Sequence, residues 1–176
     1  MSNFAVQIGE LLDFSSFAND VGVDGKTIKE WISFLEKMQI IYRVLPFYSN
    51  LSKRLIKSPK VYFYDNGLAC RLQGWSDPIP MMTSPQFGHL FKNLVFSEII
   101  KFKNNFQKDF NVYHWRSRDG EEIDFLIHDI NNKSLFIEAK VSPQSLKNHQ
   151  EFTEVKKIFG DKILNNFVPI SKLTDF

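Results

Sequence analysis

The sequence predicts an α+β fold in two parts, a helical segment closing on a two-stranded β ribbon and then an α/β domain built around a hairpin. Three observations carry this. Apolar residues recur at helical spacing through the first 38 positions. Two β-branched and aromatic runs follow, at 40–45 and 60–65. From Phe87 a long amphipathic stripe leads into further runs in which apolar and polar residues alternate.

In the first part, Phe4, Ile8, Leu11 and Leu12 share one face of a helix over 2–12. A short helix is expected from about Ser15 to Asp20, with Ser15 or Ser16 as its cap. The Val21-Gly22-Val23-Asp24 segment makes a tight turn, and Asp24 caps a third helix running to about Met38 that buries Ile28, Trp31, Ile32 and Leu35. Two short helices around a glycine turn, followed by a ribbon, describe a winged helix-turn-helix. This places a domain at 1–75. Residues 76–86 hold three prolines and several polar residues, so the segment reads as a linker. A second domain then occupies 87–176.

Composition narrows the function classes. The 176 residues include 18 phenylalanines, enough apolar volume for a core without any run of the roughly 20 apolar residues that a membrane helix needs. No signal-peptide pattern opens the chain. A lone cysteine, Cys70, excludes an internal disulfide, which suits a reducing cytoplasm. The net charge of +2 permits a DNA partner without requiring one, because phosphate binding depends on clustering. The densest basic cluster is Lys53, Arg54, Lys57 and Lys60, either a phosphate contact on the wing or a solvated loop. The third helix mixes Lys26, Lys29 and Lys37 with Glu30 and Glu36, unlike a base-reading face.

Gly25-Lys26-Thr27 ends like a phosphate-binding loop. Residue 20, where that motif needs its first glycine, is aspartate, and no apolar strand leads in. The segment is a helix start, and no ATP site is expected within this chain.

The second part holds the chemistry. Phe91, Leu94, Val95, Ile99 and Phe102 form a helical stripe with Glu98 on the same face, either as an inward ligand or as an edge position with its head in solvent. A strand follows at 111–115 and a turn at Arg118-Asp119-Gly120. Asp124 alternates with Ile123, Phe125 and Ile127, and so faces away from them. Past a polar turn at 129–133, Leu135 to Val141 forms the partner strand, with Phe136, Glu138 and Lys140 on one face. Antiparallel pairing brings Asp124 beside Glu138. Two carboxylates and the Ala139 carbonyl offer hard oxygens suited to Mg²⁺ or Mn²⁺, and Lys140 is placed to orient a water or to stabilise phosphate charge. Taken alone, a Glu-x-Lys pair on a strand is also an ordinary surface ion pair. His114, His128, Arg116 and Arg118 have no triad or metal-ligand spacing.

The order Glu98, Asp124, Glu138-Ala139-Lys140 resembles the PD-(D/E)XK nuclease superfamily. Residues 50–69, from Asn50-Leu51-Ser52-Lys53-Arg54-Leu55 through Pro59-Lys60-Val61-Tyr62-Phe63-Tyr64-Asp65 to Gly67-Leu68-Ala69, look like the signature of the DUF4143 domain. Gly88-His89-Leu90-Phe91-Lys92-Asn93-Leu94-Val95 with Glu98 is similar to that domain's next motif, although position 92 is lysine where the family usually has glutamate. The resemblance implies a winged helix followed by a PD-(D/E)XK restriction-endonuclease-like domain, attached to the P-loop domain of a prokaryotic AAA+-type ATPase. That ATPase part is absent from this chain, which reads as an excised C-terminal region. It further implies a Mg²⁺-dependent centre with Glu98, Asp124 and Glu138 as metal ligands, Lys140 as catalytic lysine and DNA as partner. The alternative is a nuclease-fold module without activity that docks or regulates the ATPase.

Overall fold

The computed structural model describes residues 2–47, 58–117, 121–141 and, as a backbone strand, 163–170. The fold is α+β. In chain order the elements are α1 (Ser2–Val6), α2 (Phe14–Val21), α3 (Gly25–Lys37), β1 (Ile41–Pro46), β2 (Lys60–Phe63), α4 (Asn66–Leu72), α5 (Pro78–Met82), α6 (Phe87–Asn105), β3 (Phe110–Arg116), β4 (Glu122–Asp129), β5 (Ser134–Ala139) and β6 (Ile163–Ile170). They divide into two compact units, one of Met1–Val44 with Ser58–Ser97 and one of Leu45–Lys57 with Glu98–Phe176. β1 and α6 each run from one unit into the other.

In the first unit, the helix expected over 2–12 stops at Val6. Gly9 sits at φ +73 and donates its amide to the Val61 carbonyl at 2.9 Å, while the Leu12 amide reaches Pro59 at 2.7 Å. Backbone bonds to the strand region thus replace further helical turns. Phe4, Ile8 and Leu12 are still buried, Phe4 from α1 and the other two from the irregular segment that follows it. α2 is capped by Asp13, whose carboxylate accepts from the Ser15 and Ser16 amides at 2.8 and 3.1 Å, so the expected serine cap is corrected. Gly22 ends it at φ +76. Asp24 caps α3 as the sequence suggests, accepting from the amides of Lys26 and Thr27 and from the Thr27 hydroxyl. Ile28 and Ile32 are fully buried, but Trp31 is exposed.

Residues 41–44 of β1 pair antiparallel with β2, Ile41 opposite Phe63 and Val44 opposite Lys60. Two helices lie where the sequence gave no expectation or a different one. α4 starts at Asp65, whose side chain caps the Leu68 amide. α5 occupies the segment expected as a linker: Asp77 caps the Ile79 amide at 2.9 Å, and Pro78 stands at the first helical position, where a missing N–H costs nothing. From α6 the Asn93 side chain, fully buried, accepts from the Phe63 amide at 2.7 Å and donates to the Phe63 carbonyl at 3.2 Å. Tyr62 stacks on Phe96 with ring centroids 4.9 Å apart.

The second unit is a mixed sheet in the order β1-β3-β4-β5-β6, with β1 represented by Leu45 and Pro46. β3, β4 and β5 pair antiparallel in sequence, whereas β1–β3 and β5–β6 are parallel. The polar turn at 129–133 closes β4 onto β5. Asp129 accepts from the Asn131 and Lys133 amides at 2.9 and 2.8 Å, and Asn132 takes the left-handed conformation at φ +59. β4 is buried on both faces along Ile123 to Leu126, as befits an interior strand.

Candidate functional site

The hairpin register positions the two central carboxylates. Phe125 pairs with Ile137 and Leu126 with Phe136, and one further step sets Asp124 opposite Glu138. Side chains directly across an antiparallel pair lie about 4.5–5.5 Å apart at Cβ. Both residues are buried, at 1 % and 5 % exposure. Asp124 accepts the Ala139 amide through Oδ2 at 3.0 Å, a bond that ties the aspartate to the backbone of the Glu-x-Lys segment. Lys140, one residue past the end of β5, places Nζ 2.7 Å from Glu138 Oε1. Its half-exposed side chain forms the solvent edge of the cluster.

Glu98 departs from the expectation that it joins this pair. It is half-exposed on α6 and bonds Lys101 Nζ at 2.6 Å, one helical turn on. Periodicity gives the helix face, but the position is at its edge, where a nearby ammonium holds the carboxylate. Among the described residues no group of three or more His, Cys, Asp or Glu side chains is arranged to hold a metal. Mg²⁺ commonly takes only one or two protein carboxylates and keeps several waters. Asp124 and Glu138 fit that requirement by ligand type and by placement on neighbouring strands. Two adjacent carboxylates repel, and a divalent cation between them removes the repulsion.

The sheet adds a pair that the sequence left unassigned. Arg116 lies opposite Glu122, with Nη1 to Oε2 at 3.6 Å. Glu122 precedes Asp124 by two residues and so shares its face. That same alternation was the available signal. Farther along this face, His128 accepts or donates at Nδ1 to the Ser134 hydroxyl at 3.0 Å and meets the Phe47 ring edge-on. It is part of a packed aromatic cluster with Tyr113. His114 is fully buried in β3, and its carbonyl accepts the Phe47 amide.

The expected phosphate contacts divide. Lys53, Arg54 and Lys57 lie outside the described residues, as does Arg118. Lys60 is 2 % exposed on β2, so it is a buried strand residue and not a surface cation for phosphate. Strand burial takes precedence over the basic run there, because Lys60 sits opposite Val44 and bridges to Leu11.

Fold and site thus define an α+β chain whose second part carries a buried carboxylate pair on a β-hairpin, beside a lysine. Residues 87–170 match the family described as Domain of unknown function (DUF4143), and this part of the chain is a DUF4143-type region. Residues 1–79 match a second family, Domain of unknown function (DUF8612). The motif over 50–69, which the sequence reading attaches to DUF4143, falls within the DUF8612 match. The chain is similar to "Uncharacterized protein Mb2031c" of Mycobacterium bovis, with 24 % identity over 119 residues, covering 68 % of this chain and 26 % of that protein. "Uncharacterized protein Rv2008c" of Mycobacterium tuberculosis matches with the same figures. The match therefore spans about a quarter of the length of these curated relatives. No solved structure matches.

Proposed function

We propose that this chain is the C-terminal region of an AAA+-type ATPase and that its DUF4143-type region is a Mg²⁺- or Mn²⁺-dependent, nuclease-like centre directed at nucleic acid. Asp124 and Glu138 are the metal ligands in this reading, and Lys140 is the catalytic lysine. The observation that carries it is the register that sets two buried carboxylates opposite each other with Lys140 Nζ 2.7 Å from one of them. The resemblance to the PD-(D/E)XK order supports the same assignment. So does the relatives' length, which leaves room for a P-loop domain outside the matched part.

A bound divalent ion would supply charge neutralisation at a phosphodiester and a more acidic water. The protein's own part is positional. Ala139 holds Asp124 in place through its amide, and Glu138 anchors the Lys140 ammonium at the solvent edge, where an approaching phosphate would exchange with the carboxylate as its partner. The first part serves as a winged helix, with Lys53, Arg54 and Lys57 as its phosphate contacts.

Mn²⁺ titration by calorimetry, with plasmid and single-stranded DNA cleavage assays alongside, tests the reading. Saturable binding and cleavage, both lost in Glu138→Ala, support it. Absence of both in the folded chain overturns it. A second reading, a non-catalytic module that docks or regulates the ATPase, draws on a specific observation. Lys140 is ion-paired to Glu138, Asp124 is spent on the Ala139 amide, and Glu98 is held by Lys101, so each group also has a structural occupation.

A further inference from the structure

α3 is apolar on two faces, and only one of them is buried. Ile28 and Ile32 fill the core of the first unit. Trp31, Phe34 and Met38 form a second stripe at i, i+3 and i+7, and they are 47 %, 62 % and 53 % exposed. Three large apolar side chains in one line, Trp31 and Phe34 on α3 and Met38 at its C-cap, are an unusual exposure, of the kind that marks an interaction surface. Beside this stripe runs a shallow groove of about 430 Å³ lined by Lys26, Lys29, Glu30, Ser33, Phe34 and Lys37.

The charge on this face differs from what the sequence suggests. Glu36 is turned away from it, bonded to Arg43 through Nε at 2.8 Å and Nη2 at 2.7 Å. Three lysines therefore line the groove against one carboxylate, Glu30, which stands at a loose 4.0 Å from Lys26, while the Lys29 ammonium also lies 5.8 Å from the centre of the Phe14 ring. The groove is net positive, with an apolar edge.

We infer that the outer face of α3 is a docking surface for an acidic amphipathic helix of a partner protein. The i, i+3, i+7 spacing of Trp31, Phe34 and Met38 is the spacing by which one helix seats the apolar stripe of another. Lys26, Lys29 and Lys37 then meet acidic residues flanking that stripe, which fixes register and speeds association. A nucleic-acid backbone would satisfy the lysines but leave the apolar stripe facing phosphate and water, so the combination favours protein. This inference is independent of the metal-centre reading.

The test uses a fluorescein-labelled three-heptad peptide with leucine at a and d and glutamate at e and g, titrated against the full 176-residue chain by anisotropy. Saturable binding is expected, weakened by salt and by at least about tenfold in Phe34→Ala and in Lys37→Glu, and retained in Phe34→Leu. Both positions face solvent, and thermal melts establish that the variants fold. The inference is overturned if the peptide does not saturate, or if a scrambled peptide of equal composition binds as well. It is equally overturned if a single-stranded oligonucleotide outcompetes the peptide and loses binding in the same variants. Self-association in sedimentation that disappears in Phe34→Ala would assign the stripe to a second copy of this chain and also overturn it.

Discussion

Asp124 lies opposite Glu138 across the β4–β5 hairpin, and the amide of the next residue, Ala139, is already bonded to the aspartate at 3.0 Å. The two carboxylates are therefore positioned by backbone pairing and not by flexible side chains. A site built on paired strands holds its geometry more tightly than one built on loops.

This arrangement separates the expected effects of three carboxylates. Glu138→Ala and Asp124→Asn are expected to abolish Mn²⁺ binding in calorimetry, whereas Glu98→Ala should leave the affinity within about threefold, because its partner is Lys101. Loss of binding in Glu98→Ala would restore Glu98 as a ligand.

Asn93 carries a structural prediction. Its side chain satisfies both the amide and the carbonyl of Phe63 inside the first unit and also donates to Asn66 Oδ1 at 3.1 Å. Asn93→Ala leaves buried backbone groups unsatisfied and should cost about 2–4 kcal/mol in urea unfolding. Asn93→Asp keeps an acceptor for the amide but loses the donors, so it should also destabilise.

Gly9 is expected to resist substitution. At φ +73, any L-residue is strained by about 1–2 kcal/mol, and an added Cβ would meet Tyr62 Oη at 3.4 Å. Gly9→Ala should lower the melting temperature, while Gly74→Ala, with open space around it but a positive φ too, should show the strain without the contact.

The caps give a pH dependence. The Thr27 hydroxyl, then the Thr27 amide, holds the Asp24 carboxyl below its ordinary value of 3.8. A carboxylate with a depressed folded-state pKa stabilises above the unfolded value, and the contribution disappears as pH falls through the folded one. Asp24→Asn should retain most of the capping at pH 7 while flattening the acid limb below about pH 4, and Asp24→Ala should lose stability at neutral pH as well. Thermal melts between about pH 2.5 and about pH 7 check the sign.

Much of the second part was legible from alternation. The strand polarity of Asp124, Glu138 and Lys140 depends only on a period of two, and the polar turn at 129–133 restricts the pairing partners. The α3 start was equally local, since an aspartate before Gly-Lys-Thr satisfies its own neighbours' amides. What failed in the sequence reading failed for a shared reason. Glu98 and Trp31 both lie on helix faces by periodicity, but whether a position at the edge of a face is covered depends on the neighbour packed there. Lys60 is the converse case, a charged residue taken inward because its strand is. The helix over 2–12 was interrupted because Gly9 and Leu12 found backbone partners near β2, which no local pattern reports.

By itself, then, the sequence determined the spacing of the chemistry: which carboxylates share a face with a lysine, and which aspartates open helices. Those follow from backbone periods of 2 and 3.6 and from hydrogen bonds within a few residues. Only the tertiary structure decided that Asp124 and Glu138 are buried side by side, that Glu98 goes to Lys101, that Glu36 leaves the α3 face for Arg43, and that Trp31, Phe34 and Met38 stay in solvent. Burial and partner choice are set by contacts between segments distant in sequence, and a local period carries no information about them.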